Sequence, residues 1–164
     1  AAAVGLTIEA PVGSDKQAQN TGTLGLDPYV SYAQSFGDSS FGSFDFVGEA
    51  GYSFSVDSRR TQFLHASAHL DYDILRHHKW YPLIEMNWFH YTRLGNESDI
   101  GFEGADLFNF GSHTTNGRDL LTIAPGLRYK FTEWAEIGTA VEFPLTKQKS
   151  RDDFRWTVDL IFRY

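Results

Sequence analysis

Three observations predict an all-β protein, an antiparallel up-and-down transmembrane β-barrel of the bacterial outer-membrane type. Apolar and polar side chains alternate with period 2 along most of the chain, which is the signature of strands showing one face to an apolar medium. A helical span needs about 20 consecutive apolar residues, and the sequence holds no such run. The content of Phe, Tyr and Trp is 16% while mean hydropathy is only -0.34. A barrel reconciles the last two values, because each strand presents lipid with one side chain in two. At 164 residues the chain reads as one domain, residues 1–164.

Eight strands are expected, separated by clusters of Gly, Asp, Asn and Ser. The first, Ala1 to Val12, puts Val4, Leu6, Ile8 and Val12 opposite Gly5, Thr7 and Glu9. The second, Pro28 to Phe36, has the weakest pattern. The third sets Phe44, Phe46, Ala50, Tyr52, Phe54 and Val56 against Asp45, Glu49, Gly51, Ser53 and Ser55. The fourth sets Leu64, Ala66, Ala68, Leu70, Tyr72 and Ile74 against His65, Ser67, His69, Asp71 and Asp73. In the fifth, Trp80 to Arg93, Ile84, Met86 and Trp88 oppose Glu85 and Asn87, but Leu83 and Phe89 fall on the polar face.

The last three strands alternate best. The sixth opposes Leu121, Ile123, Leu127, Tyr129 and Phe131 to Thr122, Ala124, Gly126, Arg128 and Lys130; the seventh opposes Ile137, Val141, Phe143 and Leu145 to Glu136, Gly138, Ala140 and Glu142. The eighth, Phe154 to Tyr164, opposes Phe154, Trp156, Val158, Leu160, Phe162 and Tyr164 to Arg155, Thr157, Asp159 and Arg163.

Amphipathic strands also suit a soluble sandwich or a lipocalin-like cup, and the chemistry of the two faces chooses between them. Charges gather on one face, where Asp45, Glu49, His65, His69, Asp71, Glu85, Arg128, Lys130, Glu136, Glu142, Arg155 and Asp159 are the expected lumen-lining residues. Bulky aromatics gather near strand ends on the other face. Tyr52, Tyr72, Trp80, Trp88, Trp134, Trp156 and Tyr164 are placed as interfacial girdles are. Connection lengths alternate: Gly37 to Ser43, Arg76 to Lys79 and Thr132 to Trp134 are short, whereas Gly13 to Asp27 and Leu94 to Asp119 are long, as periplasmic turns and external loops are; on the external side Thr146 to Asp153 is intermediate and Asp57 to Arg60 is the tight exception.

Composition removes several classes of function. A net charge of -7 and a pI near 5.2 do not provide the clustered basic surface that nucleic acid requires. With no Cys, neither a disulfide framework nor a thiolate metal site forms. Ala1 opens directly into apolar sequence without a basic leader region or cleavage site, which reads as a mature or trimmed chain.

The segment LTIAPGLRYKFTEWAEIGTAVEFPL (Leu121 to Leu145), the terminal FRWTVDLIFRY and the opening AAAVGLTIEAPVGSDKQAQNTGTLGLDPYVSY together resemble a known group. They are similar to a porin-like family of outer-membrane barrels, described as transporters of the phenol meta-cleavage pathway. Members of that family place several strands before the segment that AAAVGL resembles. The resemblance therefore implies a parent barrel of about twelve strands, and a transport function for small solutes, with aromatic or hydrophobic ones among them. It carries over no catalytic motif, cofactor or metal.

His65, His69, Asp71 and Asp73 share one face of the fourth strand, but at 3.3 to 3.4 Å per residue they spread over about 27 Å. They read as wall residues, and a site there needs ligands from neighbouring strands such as Glu49 or Glu85. His77 and His78 read as a solvated turn. The apolar loop containing Phe102, Leu107, Phe108, Phe110 and His113 is expected to fold into the mouth, or to pack on the rim or a partner. A turn centred on Glu133 places Lys130 opposite Glu136, predicting an ion pair, and a similar register predicts Glu142 with Arg155.

The expected function is a porin-like passage. The alternatives are a structural barrel that anchors or seals an envelope assembly, an outer-membrane enzyme resting on His65 with Asp71 or Asp45, and a soluble ligand-binding cup. The expected partners are the lipid bilayer, the outer-membrane assembly machinery reading Phe154 to Tyr164, and an envelope protein; no cofactor is expected.

Overall fold

The computed structural model describes residues 1–12, 23–57, 61–93, 95, 117–146 and 154–163. They form eight strands: β1 (Ala2–Glu9), β2 (Gly25–Ser39), β3 (Gly42–Ser55), β4 (Gln62–Ile74), β5 (Trp80–Arg93), β6 (Asp119–Thr132), β7 (Ala135–Pro144) and β8 (Arg155–Phe162). Each pairs antiparallel with the next, giving one up-and-down sheet in sequence order. The all-β architecture and the eight expected strands are therefore present. The sheet does not close, because β1 and β8 share no ladder and both keep a free outer edge. Most of the two long loops, the segment Phe102 to His113 and Tyr164 lie outside the described residues.

The weak second strand is longer than its pattern suggests. Its ladder with β3 runs on through a register shift between Phe36 and Ser39 and ends at Ser39 opposite Gly42. Gly37 (φ 69°) lies at the irregularity and Gly42 (φ 148°) at the turn, both in the region that glycine enters without steric cost. The seven-residue turn expected from Gly37 to Ser43 is thus a bulged strand followed by a tight turn at Ser40 and Phe41.

The β4–β5 turn is built differently. Leu75, Arg76 and His78 all have φ near 55°, an unusual conformation for side chains with a Cβ. Asp73, 2% exposed, holds this geometry by accepting the His78 backbone N–H at 3.0 Å on Oδ1, while His78 Nδ1 lies 2.5 Å from Oδ2. Arg76 adds an ion pair at 2.9 Å to Asp38 at the end of β2, joining two neighbouring turns. His78 is therefore a structural part of the turn.

Because side chains alternate, the ladders fix which residues share a face. Register pairs Thr7 with Asp27, Ser31 with Glu49, Gly51 with His65, His69 with Glu85, Tyr81 with Arg128, and Glu142 with Arg155. The polar face is continuous across all eight strands. On the other face Val4, Val30, Ile84, Met86, Leu127, Trp156 and Leu160 are exposed, and no large side chain among the described residues is fully buried. Among the described residues the apolar face is not covered by another layer.

The sheet curls toward its polar face, where hollows are lined jointly by β5, β6, β7 and β8. Glycines on that face act as seats for neighbouring side chains: the Tyr29 ring lies over Gly5, His65 over Gly51, Leu83 over Gly126 and Asp159 over Gly138. Gly126→Ala would put a Cβ 2.6 Å from the Thr139 carbonyl and so forces the ladder itself to shift, whereas at Gly138 the new methyl meets the movable Asp159 carboxylate. Gly126→Ala is expected to cost about 1–3 kcal/mol, the usual range for overpacking, and Gly138→Ala clearly less; urea-unfolding midpoints of the two variants check the order.

Candidate functional site: the polar face of the sheet

The charged residues expected on one face are brought together there, and the ladders explain which of them meet. On β4, His69 stands between two carboxylates: Nδ1 lies 2.9 Å from Glu85 Oε1 on β5, and Nε2 lies 3.1 Å from Asp71 Oδ2 on its own strand. Both ring nitrogens thus face carboxylate oxygens. His65 does not join this group. Its Nε2 reaches 3.0 Å to Asp27 Oδ1 on β2, across two strand spacings or about 9.5 Å, and the intervening β3 residue, Gly51, leaves the path open. Asp45 stands opposite Asp71 in the ladder and accepts the Ser35 hydroxyl. Among the described residues no group of three metal-ligating side chains converges.

The opposite half of the face is organised by arginines. The expected register of Lys130 opposite Glu136 is present, but a different cation takes the carboxylate. Arg163 donates from both terminal nitrogens to the two Glu136 oxygens at 2.9 Å, the bidentate fit that a guanidinium makes and an ammonium does not. Glu136 is 4% exposed, and Arg128 Nε approaches it at 3.9 Å. Arg128 turns its Nη2 toward Asp159 at 3.1 Å, passing over Gly138. The Glu142–Arg155 pair forms as the register predicts, and Thr122 donates its hydroxyl to Glu142 at 2.5 Å.

Two hollows lie side by side on this half, with Leu83 and Arg128 shared between them. The upper, of about 290 Å³, has a floor of small residues, Ala124, Gly138, Ala140 and Thr157; Glu85 and Asn87 flank it on the β5 side, and Glu142, Arg155 and Asp159 on the other. The lower, of about 320 Å³, takes in Asp71, Tyr81, Lys130, Glu133, Glu136 and Arg163.

The two apolar residues that broke the β5 pattern have physical roles. Leu83 fills the space over Gly126. Phe89 packs edge-on against Phe63 with ring centroids 5.9 Å apart, and Tyr91 and His65 sit about 6.0 Å from the same ring. This aromatic cluster on the polar face was not foreseen; the position of Phe63 in step with His65 and His69 was the available signal.

The aromatics of the apolar face fall into two bands. The lower, at the end with tight turns, links Phe36, Phe44 and Tyr72, then Trp80, Tyr129 and Phe131, then Trp134 and Phe162. In the upper band Tyr52 stacks on Phe54, Trp88 donates to Asp119 at 2.9 Å, and Trp156 donates to Thr139 at 2.7 Å. Phe44 and Tyr52, like Trp80 and Trp88, stand eight residues apart on one strand, about 27 Å along it.

No family model, curated protein or solved structure matches the chain.

The side chains of Arg155 and Glu142 are 46% and 15% exposed, so the two halves of this pair are not equivalent. Arg155→Gln strands the more buried carboxylate and is expected to cost about 1–2 kcal/mol. Glu142→Gln leaves an arginine that water still reaches and costs less than about 1 kcal/mol. Equal losses in urea unfolding of the two variants contradict this assignment.

Proposed function

We propose that this chain forms the wall of a porin-like channel in the outer membrane of a Gram-negative bacterium. One observation carries the reading: between the two aromatic bands, the described strands hold every charged side chain on the concave face and none on the convex face. Lipid imposes that division, because a charge at mid-depth on the lipid face of a barrel costs about 2–4 kcal/mol. The spacing of the bands supports it as well. About 27 Å along strands tilted near 40° corresponds to about 21 Å along the membrane normal, close to the apolar band of about 25 Å typical of such barrels.

Closure is part of the proposal. An open edge within hydrocarbon leaves backbone groups without partners, at several kcal/mol each, so the free edges of β1 and β8 are completed by further antiparallel strands, to about twelve in all. The glycine seats favour an open lumen over a filled one, since they let Tyr29, His65 and Asp159 lie along the wall instead of projecting from it. The convex face of β8, with Trp156, Val158, Leu160 and Phe162 exposed, is the surface offered to lipid and to the assembly machinery.

Acids exceed bases on the concave face, which favours cations weakly. Reconstitution into planar bilayers of the closed barrel, with the strands that complete it, is expected to give discrete conductance steps with a reversal potential on the cation side in a salt gradient; anion preference contradicts the selectivity, and the absence of any conductance contradicts the channel. Ile84→Arg, on the convex face midway between Trp80 and Trp88, is expected to cost about 2–4 kcal/mol when the protein is folded into lipid, while the same change at the rim residue Thr92 costs about 0–1 kcal/mol. Folding titrations in vesicles measure both.

A further inference from the structure

The cations of the concave face gather in one sector, where Glu136, Glu142 and Asp159 stand among them. On β1 to β5 the face carries acids, including Glu9, Asp27, Asp45, Glu49, Asp71 and Glu85, with two histidines, and no Lys or Arg below Arg93 at the upper end of β5. Its cations, Arg128, Lys130, Arg155 and Arg163, all stand on or just beyond β6 to β8. The seam between the sectors runs between β5 and β6, and the upper hollow lies across that seam.

We propose that this hollow is a binding subsite for small zwitterionic solutes, with the ammonium end toward Glu85 and the carboxylate end toward Arg155 and Arg128. The inference rests on the channel reading for its role in passage, and on the hollow alone for binding. Free valences remain on both sides. Glu85 is 42% exposed and gives Oε1 to His69, which leaves Oε2 for an ammonium. Each guanidinium has five N–H donors, and a carboxylate partner takes at most two, so Arg155 and Arg128 keep donors after pairing with Glu142 and Asp159. The floor stays low because Gly138 and Ala140 carry no bulk, and a volume of about 290 Å³ is that of about ten water molecules at 30 Å³ each. This suits a solute of amino-acid size. A solute with one charge engages only the spare Glu85 oxygen or only the spare guanidinium donors; a zwitterion engages both.

The test uses gamma-aminobutyrate, butyrate and butylammonium on the reconstituted protein, with equilibrium dialysis of the radiolabelled solutes against detergent-solubilised protein in parallel. Gamma-aminobutyrate is expected to bind, and to reduce the ion current, at about tenfold lower concentration than either singly charged probe, the worth of one further charge-assisted hydrogen bond. Arg155→Gln and Glu85→Gln are each expected to remove that advantage, and Asp38→Asn, on the lower turn, to keep it. Since Arg155→Gln strands Glu142, Glu85→Gln serves as the independent variant. Equal binding of the three probes overturns the subsite, as does an advantage that survives Glu85→Gln. Zwitterion-selective binding without any conductance overturns the channel and leaves the subsite standing.

Discussion

Everything in this molecule depends on an unbroken antiparallel ladder from β1 to β8. A β-strand has one degree of freedom that matters here, its parity, and each ladder copies the parity of one strand onto the next. A slip of one residue anywhere would carry Asp71 or Arg128 to the convex face and bring Leu70 or Leu127 inward. The bulges at the β2–β3 turn and at the upper end of β4 sit at strand ends, where an extra residue changes no face between the aromatic bands. Irregularity at the ends leaves the division between the polar and apolar faces intact in the middle of the sheet.

The same logic explains how much could be read without coordinates. Strand existence and face assignment were legible, since both follow from period 2, and β5 was legible to its end residues. Where β2 ended was not, because Gly37 and Ser39 look like turn residues and only pairing with β3 shows them to be a bulged continuation. Cross-strand register was legible at the short β6–β7 turn, yet the ion pair there was not. Pairing depends on the geometry of the competing cations as much as on which one is opposite, and Arg163 reaches Glu136 with two parallel bonds. Contacts that skip a strand, such as His65 with Asp27, were out of reach because they depend on a glycine in the strand between, placed there only by the register of two ladders.

The concave face gains its character from these skipping contacts. A glycine in the middle strand of three removes the one side chain that would separate its neighbours, so the flanking residues meet over it. Asp159 with Arg128 and Asp27 with His65 are both pairs of this kind. The long polar side chains are thereby tethered along the wall, and the hollows of β5 to β8 lie between them. The aromatic cluster of Phe63, Phe89 and Tyr91 occupies the upper part of the same surface on β4 and β5, while Glu9, Asp27, Glu142 and Arg155 keep the upper ends of the other strands charged.

The β4–β5 turn bears on how such a protein diversifies. Three residues with Cβ atoms in left-handed conformations, held by one buried aspartate, make a connection whose length and sequence are both fixed. Insertion or loss of a residue there would uncouple Asp73 from His78 and offset β4 against β5. The upper connections are held too, but by other means: Ser55 and Thr61 are buried, Ser55 donates to the Asp57 carbonyl and Thr61 accepts the Gly95 N–H at 3.0 Å. In an insertion library the β4–β5 turn is therefore a position where a change of length is paid for twice, once in the lost Asp73 contacts and once in the offset of two strands.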